Sequence, residues 1–512
     1  MYRFPKDSKL NDPKFLFGVS TASYQIEGST NVDERCPSIW DTFCAKPGAV
    51  YKQHNGDVAC NHYNLYQQDV DLISSLEVDA YRLSIAWPRI IRPDGSVNQK
   101  GLDFYDRLIS ALEEKKIKIM ATLYHWDLPQ YLEDEGGWLN RETSTKFAEY
   151  VEVVSSYFGN RIDFYATLNE PWCSAYLGYR FGIHAPGIAD EKSGFLACHN
   201  LLLAHGLAMP ILRKNAANSK HGIVLNFTPN YPVNDSAIEA ANFADDEHTH
   251  WFIKPIMEGK YPESVFQHFI NIMPTIGQND MAIISEKIDF LGLNFYSRSM
   301  VESGRQGKVS DTILRKIKRA EMRIQESNHI SVDDSKGDQL KTLMNQKNTH
   351  YKSVDLEEVE RTHIGWEVYP EALLKLLTDL HQTYNLPPIY ITENGAAVDD
   401  HVIDGVVDDE QRYRYYQNHL SMVDQAIEKG VDVRGYFAWS LMDNFEWAEG
   451  YKMRFGIVYV DYETQKRTLK QSAIKFQEFL SARKQGLLKS VSYTHLRAHE
   501  TPEHLVCRLL LE

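Results

Sequence analysis

Short apolar runs recur along the chain at 15–20, 80–85, 117–124, 164–168, 222–227, 288–293, 388–392 and 433–439. Each has the length of a buried strand. Most are separated by longer segments, such as 69–76 and 101–114, whose apolar residues return every three or four positions, the spacing of an amphipathic helix. Repeated alternation of strand and helix predicts the α/β class, as a single (β/α)8 TIM barrel of parallel strands with loop insertions on its C-terminal rim. The barrel is expected to occupy residues 1–490, and the helical stretch 472–480 completes its outer layer. A polar, charge-rich stretch at about 304–351, containing Arg315-Lys-Ile-Lys-Arg, reads as a surface insertion before the seventh strand. Residues 491–512 match neither pattern and read as an unrelated tail, disordered or artefactual. The alternative for the tail is a genuine short extension.

Polar and aromatic residues gather where these strands end. Gln25 follows the first run, Arg82 lies in the second, His125 and Trp126 end the third, and Asn169 and Glu170 end the fourth. Asn294 and Tyr296 follow the sixth, Glu393 ends the seventh, Trp439 ends the eighth, and Glu446 and Trp447 lie in the loop beyond. In a barrel of this kind all of them fall on one rim, the one that carries active sites. Taken singly, each has a plainer reading. A glutamate after a strand is commonly a solvated loop residue, a lone histidine a hydrogen-bonded structural group, a tryptophan a core aromatic, and an arginine half of a core ion pair. Taken together they suit a pyranose, because indole faces stack on the C–H faces of a sugar while amide, imidazole and carboxylate groups bind its hydroxyl edge. Two carboxylates at one cleft are what cleavage of a glycosidic bond requires. Arg82 beside Glu393 would hold that carboxylate ionised, and Tyr296 is expected to bond to the same oxygen.

Composition narrows the partners. The chain has 512 residues, 43% of them apolar and 24% charged, with a net charge of −15, which argues against nucleic acid or an anionic membrane and for a small neutral ligand. The first residues contain no signal-like apolar run, and no stretch is expected to approach the length of a membrane span, so a cytoplasmic location is expected. Cysteines at 36, 44, 60, 173, 198 and 507 show no Cys-x-x-Cys spacing and read as free thiols; no metal site and no cofactor are indicated. Oligomeric state is not legible.

Several motifs together resemble glycoside hydrolase family 1, the β-glucosidase family, over about residues 15–480. They are Phe17-Gly-Val-Ser-Thr-Ala-Ser-Tyr-Gln-Ile-Glu-Gly, Tyr81-Arg-Leu-Ser-Ile-Ala-Trp-Pro-Arg, Leu123-Tyr-His-Trp-Asp-Leu-Pro, Thr167-Leu-Asn-Glu-Pro, Ile391-Thr-Glu-Asn-Gly and Trp439-Ser-Leu-Met-Asp-Asn-Phe-Glu-Trp. The resemblance implies a retaining β-glycosidase in which Glu170 is the acid/base and Glu393 the nucleophile. It implies that Gln25, His125, Asn169, Trp439, Glu446 and Trp447 hold the glycone and that Trp366 is a platform for the leaving group. Without it, Trp366 reads equally well as a buried anchor at a helix start. A β-glucosidase acting on small β-glucosides or cello-oligosaccharide ends is the expected activity. β-Galactosidase and β-fucosidase activity stay open, as does a non-catalytic sugar-binding barrel, although both glutamates are present. A thioglucosidase would carry Gln in place of Glu170, and a phosphoglycosidase would need a cationic pocket where this chain has Glu446. The segment between Asn294 and Trp366 is longer than the family pattern, which leaves the choice of leaving group open.

Overall fold

The computed structural model describes residues 1–304 and 350–488. The interior of the predicted insertion and the whole of the predicted 491–512 tail lie outside the described residues. All eight apolar runs are strands of one closed parallel barrel: β1 Leu16–Ser20, β2 Ala80–Ser84, β3 Lys118–Thr122, β4 Phe164–Asn169, β5 Lys220–Phe227, β6 Phe290–Phe295, β7 Ile389–Asn394 and β8 Val433–Trp439. Each pairs with its neighbours in sequence, and β1 closes on β8 with Ser20 opposite Trp439. These strands read as nearly continuous apolar runs because helices cover their outer faces while the barrel interior covers the inner ones.

The N-terminal half of the barrel is plugged by large side chains. Phe164, Phe290 and Tyr390 meet edge to face there, beside Met120, Val224 and Phe437. Gly18 makes the fit possible, since a Cβ at that position would lie 2.4 Å from a ring carbon of Phe437. With the lower barrel filled, a large cleft opens at the upper rim.

The register breaks where the chemistry is expected. β4 shifts against β5 between Ala166 and Asn169, and β7 shifts against β6 between Ile391 and Glu393. Such irregularities re-aim the side chains beside them. Three rim residues, Trp126, Glu170 and Trp447, adopt left-handed φ values of 76°, 47° and 47°, a conformation that side chains other than glycine rarely hold without surrounding support.

One expectation needs correction. The helix Glu191–Asn215 is long and apolar enough, by length and composition, to cross a membrane, with 78% of that window buried within the protein. It packs on helix Glu142–Phe158 and on β4 and β5, so its apolarity serves the barrel's outer layer. The stem of the insertion is visible at both ends: Ser299–Ser303 pairs antiparallel with Tyr351–Val354, and Asn230–Pro232 adds a third strand. The five described cysteines are buried, and none is in a disulfide with another described residue.

Gly18→Ala is expected to destabilise the protein by about 1–3 kcal/mol, the usual cost of overpacking a filled core. Urea unfolding of the two proteins measures it, and equal midpoints would show that the barrel floor has slack.

Candidate active site

Each candidate side chain is delivered by the end of a barrel strand or by the loop that follows. Arg82 sits within β2, fully buried, and its guanidinium contacts acceptors on three sides. Nη1 donates to Glu393 Oε1 at 2.5 Å, Nη2 to Asn169 Oδ1 at 2.6 Å, and Nε to Thr122 Oγ1 at 3.2 Å. Tyr296 Oη donates to Glu393 Oε2 at 2.6 Å. Arg82 and Tyr296 therefore take opposite oxygens of Glu393, not the same one. The ion pair fixes one side of the carboxyl and leaves Tyr296 to fix the other.

Glu170 faces neutral donors instead. Its Oε1 accepts from Asn294 Nδ2 at 2.6 Å and its Oε2 from the Cys173 thiol at 3.0 Å. Burial, and next the charge of Glu393, push its carboxyl up to about 7, against the lowering influence of Cys173, Asn294 and Arg82. A chain of hydrogen bonds joins the two glutamates: Glu393 to Arg82, Arg82 to Asn169, Asn169 Oδ1 to Asn294 Nδ2 at 3.1 Å, and Asn294 to Glu170.

The remaining candidates converge on the same place. Asn169 Nδ2 meets His125 Nε2 at 3.0 Å, and burial together with the nearby Arg82 holds the imidazole well below its usual range, hence neutral. Because Asn169 donates there, the His125 proton resides on Nδ1, which is buried with no partner among the described residues. Gln25 spends its amide hydrogens on Phe445 O at 2.8 Å and Asn444 Oδ1 at 3.1 Å, leaving Oε1 unpartnered. Glu446 Oε2 is likewise unpartnered, and burial followed by the charge of Glu393 raises that carboxyl well above its ordinary range. One free donor and two free acceptors, all buried, are a set that hydroxyl groups of a ligand can satisfy.

Around them lies a cleft of about 810 Å³, lined by His125, Glu170, Asn294, Tyr296, Glu393, Glu446 and the indoles of Trp126, Trp366, Trp439 and Trp447. Asn169 stands behind this lining and acts through Arg82, His125 and Asn294, and Gln25 borders it with Oε1 unpartnered among the described residues. Trp439 and Trp447 lie nearly parallel to His125, with ring centres 6.0 Å away in both cases. Trp366 is half-buried against Tyr296 and Phe455, and the adjoining Glu367 is pinned by Arg298 at 2.8 Å. The outer cleft extends past Trp172, His248 and Tyr351, where the Tyr351 hydroxyl donates to Glu247 Oε2 at 2.6 Å and Glu247 pairs with Arg180 at 2.6 Å.

Sequence reasoning overlooked Cys173, Thr392 and this outer wall. Cys173 had a signal, standing three residues beyond Glu170 where a helical turn folds it back. Tyr351 had none, since its partner Glu247 is remote in sequence.

A plugged parallel barrel with a paired-glutamate cleft defines a glycoside-cleaving enzyme of the TIM-barrel type. Residues 8–485 match the model of Glycosyl hydrolase family 1, and the chain belongs to that family. It is 44% identical over 474 residues to a β-glucosidase of Agrobacterium sp., covering 92% of this chain and 94% of the relative. It is 41% identical over 479 residues to a bifunctional β-D-glucosidase/β-D-fucosidase of Bifidobacterium breve, covering 91% and 97%. Among solved structures, a family 1 β-glucosidase from Thermotoga maritima in complex with isofagomine lactam superposes with a TM-score of 0.82 at 41% identity, covering 94% of this chain and 99% of the other. The protein is a glycoside hydrolase.

A carbon-13 titration of the Glu170 carboxyl is expected to show a midpoint near 7. Glu393→Gln removes the neighbouring charge and should lower that midpoint. An unmoved midpoint would mean that burial alone holds the proton.

Proposed function

We propose that Glu393 is the nucleophile and Glu170 the general acid/base of a retaining β-glucosidase that releases glucose from small β-glucosides and the ends of cello-oligosaccharides. The observation that carries this reading is the contrast between two neighbouring carboxyl groups. Glu393 is braced by a cation and a phenol, as suits a group that must attack as a carboxylate, whereas Glu170 has only neutral donors and is held as an acid up to about 7.

In the first step an oxygen of Glu393 bonds to the anomeric carbon as the bond to the leaving oxygen breaks, and the Glu170 proton passes to that oxygen. The leaving alcohol departs and a glycosyl ester remains. In the second step Glu170, now a carboxylate, takes a proton from water as the water oxygen bonds to the anomeric carbon and the ester bond to Glu393 breaks. Two inversions give a β-sugar. Because free Glu170 must carry its proton for the first step, kcat/KM should fall as pH rises through about 7.

The unpartnered atoms supply the glycone reading. His125 Nδ1 offers a donor, Gln25 Oε1 and Glu446 Oε2 offer acceptors, and Trp439 offers a flat face. The name of the Bifidobacterium relative favours a second activity on β-fucosides by the same site. A fucoside lacks the hydroxyl at the sixth position, so it would forgo part of the Glu446 contact and keep the rest.

The roles are tested by Glu170→Ala with added azide, which should cut turnover of substrates with poor leaving groups by roughly 10²–10⁴-fold and yield a β-glycosyl azide on activated ones. Formation of that β-azide by Glu393→Gly would exchange the two roles, and early accumulation of the α-anomer from wild-type enzyme, read by proton NMR, would sink the mechanism.

Glu446→Ala should lose more kcat/KM on 4-nitrophenyl β-glucoside than on the β-fucoside, because a site built for a hydroxyl is penalised most when that contact is used. Equal losses would show that Glu446 does not read the sixth position.

A further inference from the structure

We infer that Cys173 is a positioning residue for Glu170, holding its thiol against the one carboxyl oxygen that carries and sheds the transferred proton. The inference rests on the acid/base role proposed for Glu170 and extends it to the atom involved.

The guanidinium of Arg82 has only hydrogens to offer. The Asn169 atom 2.6 Å from Nη2 is therefore its carbonyl oxygen Oδ1. The Asn294 atom 3.1 Å from that same oxygen must then be a donor, the amide nitrogen Nδ2. Thr392 Oγ1 supports the same orientation by donating to Asn294 Oδ1 at 2.6 Å. That amide nitrogen also lies 2.6 Å from Glu170 Oε1, so its two hydrogens are divided between Asn169 and Glu170. Oε1 thus always faces a donor and behaves as the carbonyl-like oxygen of the neutral acid. The proton belongs on Oε2.

The partner of Oε2 is the Cys173 sulfur, 3.0 Å away. Its position is set by the main chain: Glu170 takes a left-handed φ of 47°, Pro171 opens the next turn, and the Cys173 N–H donates to the Glu170 carbonyl at 2.9 Å. The side chain of Cys173 consequently folds back over the carboxyl group three residues before it. A wide π-helical turn, Cys173–Arg180, continues from there.

A thiol is a weak donor and a weak acceptor, which fits a partner that must serve both protonation states. When Oε2 is ionised, the S–H hydrogen supports it. When Oε2 carries the proton, the thiol hydrogen turns aside and the carboxyl O–H is left to the glycosidic oxygen, to which it passes as that oxygen leaves the anomeric carbon. In the return step the proton taken from water arrives on Oε2 as the water oxygen bonds to that carbon.

Other charged or titratable groups face Glu170 from every side of the cleft: Arg82 from β2, Tyr296 after β6, Glu393 from β7 and Glu446 beyond β8. They set the field around Glu170. Asn294 and Cys173 are the side chains that bond its carboxyl oxygens among the described residues.

The test is the pH profile of kcat/KM for 4-nitrophenyl β-glucoside in the full chain carrying Cys173→Ala, Cys173→Ser or Glu170→Gln. Removing the thiol takes away a donor that favours the carboxylate, so Cys173→Ala should move the alkaline limb upward by roughly half a unit to one unit. Cys173→Ser, which keeps a donor there, should return the limb toward that of the wild type. A purely structural role for Cys173 would lower rates or melting temperature and leave the limb in place, and an unmoved Cys173→Ala limb overturns the inference. Should the alanine variant fail to fold, Cys173→Val carries the same arm. An alkaline limb that persists in Glu170→Gln instead removes Glu170 from the acid/base role, and the inference about Cys173 falls with it.

Discussion

The guanidinium of Arg82 is the constraint from which the site takes its polarity. A fully buried cation is costly unless every hydrogen finds an acceptor, and Arg82 meets Glu393, Asn169, Thr122 and the Thr392 carbonyl at the centre of the upper barrel. Because arginine never accepts, the orientation of each neighbour is dictated in turn. Asn169 must show it oxygen, so its nitrogen faces His125 and leaves the imidazole hydrogen on Nδ1. Asn294 must show Asn169 its nitrogen, so Glu170 Oε1 receives a donor. Two amides, one imidazole and both glutamates are aligned by a residue that does not itself line the cleft.

The barrel makes this network affordable in local strain. Register shifts at the ends of β4 and β7 turn Asn169, Glu170 and Glu393 out of the strand alternation, and left-handed residues at Trp126, Glu170 and Trp447 aim the loops inward. Irregularities of this kind persist where the surroundings over-determine them. Here the surroundings are a floor of packed aromatic rings below and helices outside.

The two glutamates show how one scaffold gives neighbouring carboxyl groups contrasting surroundings. A cation and a phenol on Glu393 support negative charge, and that charge in turn helps hold the proton on Glu170, whose own neighbours are a primary amide and a thiol. Glu446 extends the pattern, since burial and the same negative neighbours raise a third carboxyl group well above its ordinary range. The outer cleft is built differently. It is walled by the paired stem at Ser299–Ser303 and Tyr351–Val354, anchored through Tyr351, Glu247 and Arg180.

The sequence by itself determined the barrel, its eight strands and the rim on which Glu170, Glu393 and their companions stand, because strand and helix periodicities are local and polar residues at strand ends break them visibly. It also carried the motifs that resemble glycoside hydrolase family 1, whose model spans the fold. The sequence reading passed over Glu191–Asn215, whose apolar length suits a covered core helix as well as a membrane. Tertiary structure alone decided which oxygen of Glu393 each donor takes, which amide atom faces Glu170, and that Cys173 touches its carboxyl. It also decided which polar atoms of Gln25, His125 and Glu446 remain free for a ligand. Those are questions of direction within a hydrogen-bond network, and direction is set by partners from strands far apart in sequence that meet only when the barrel closes.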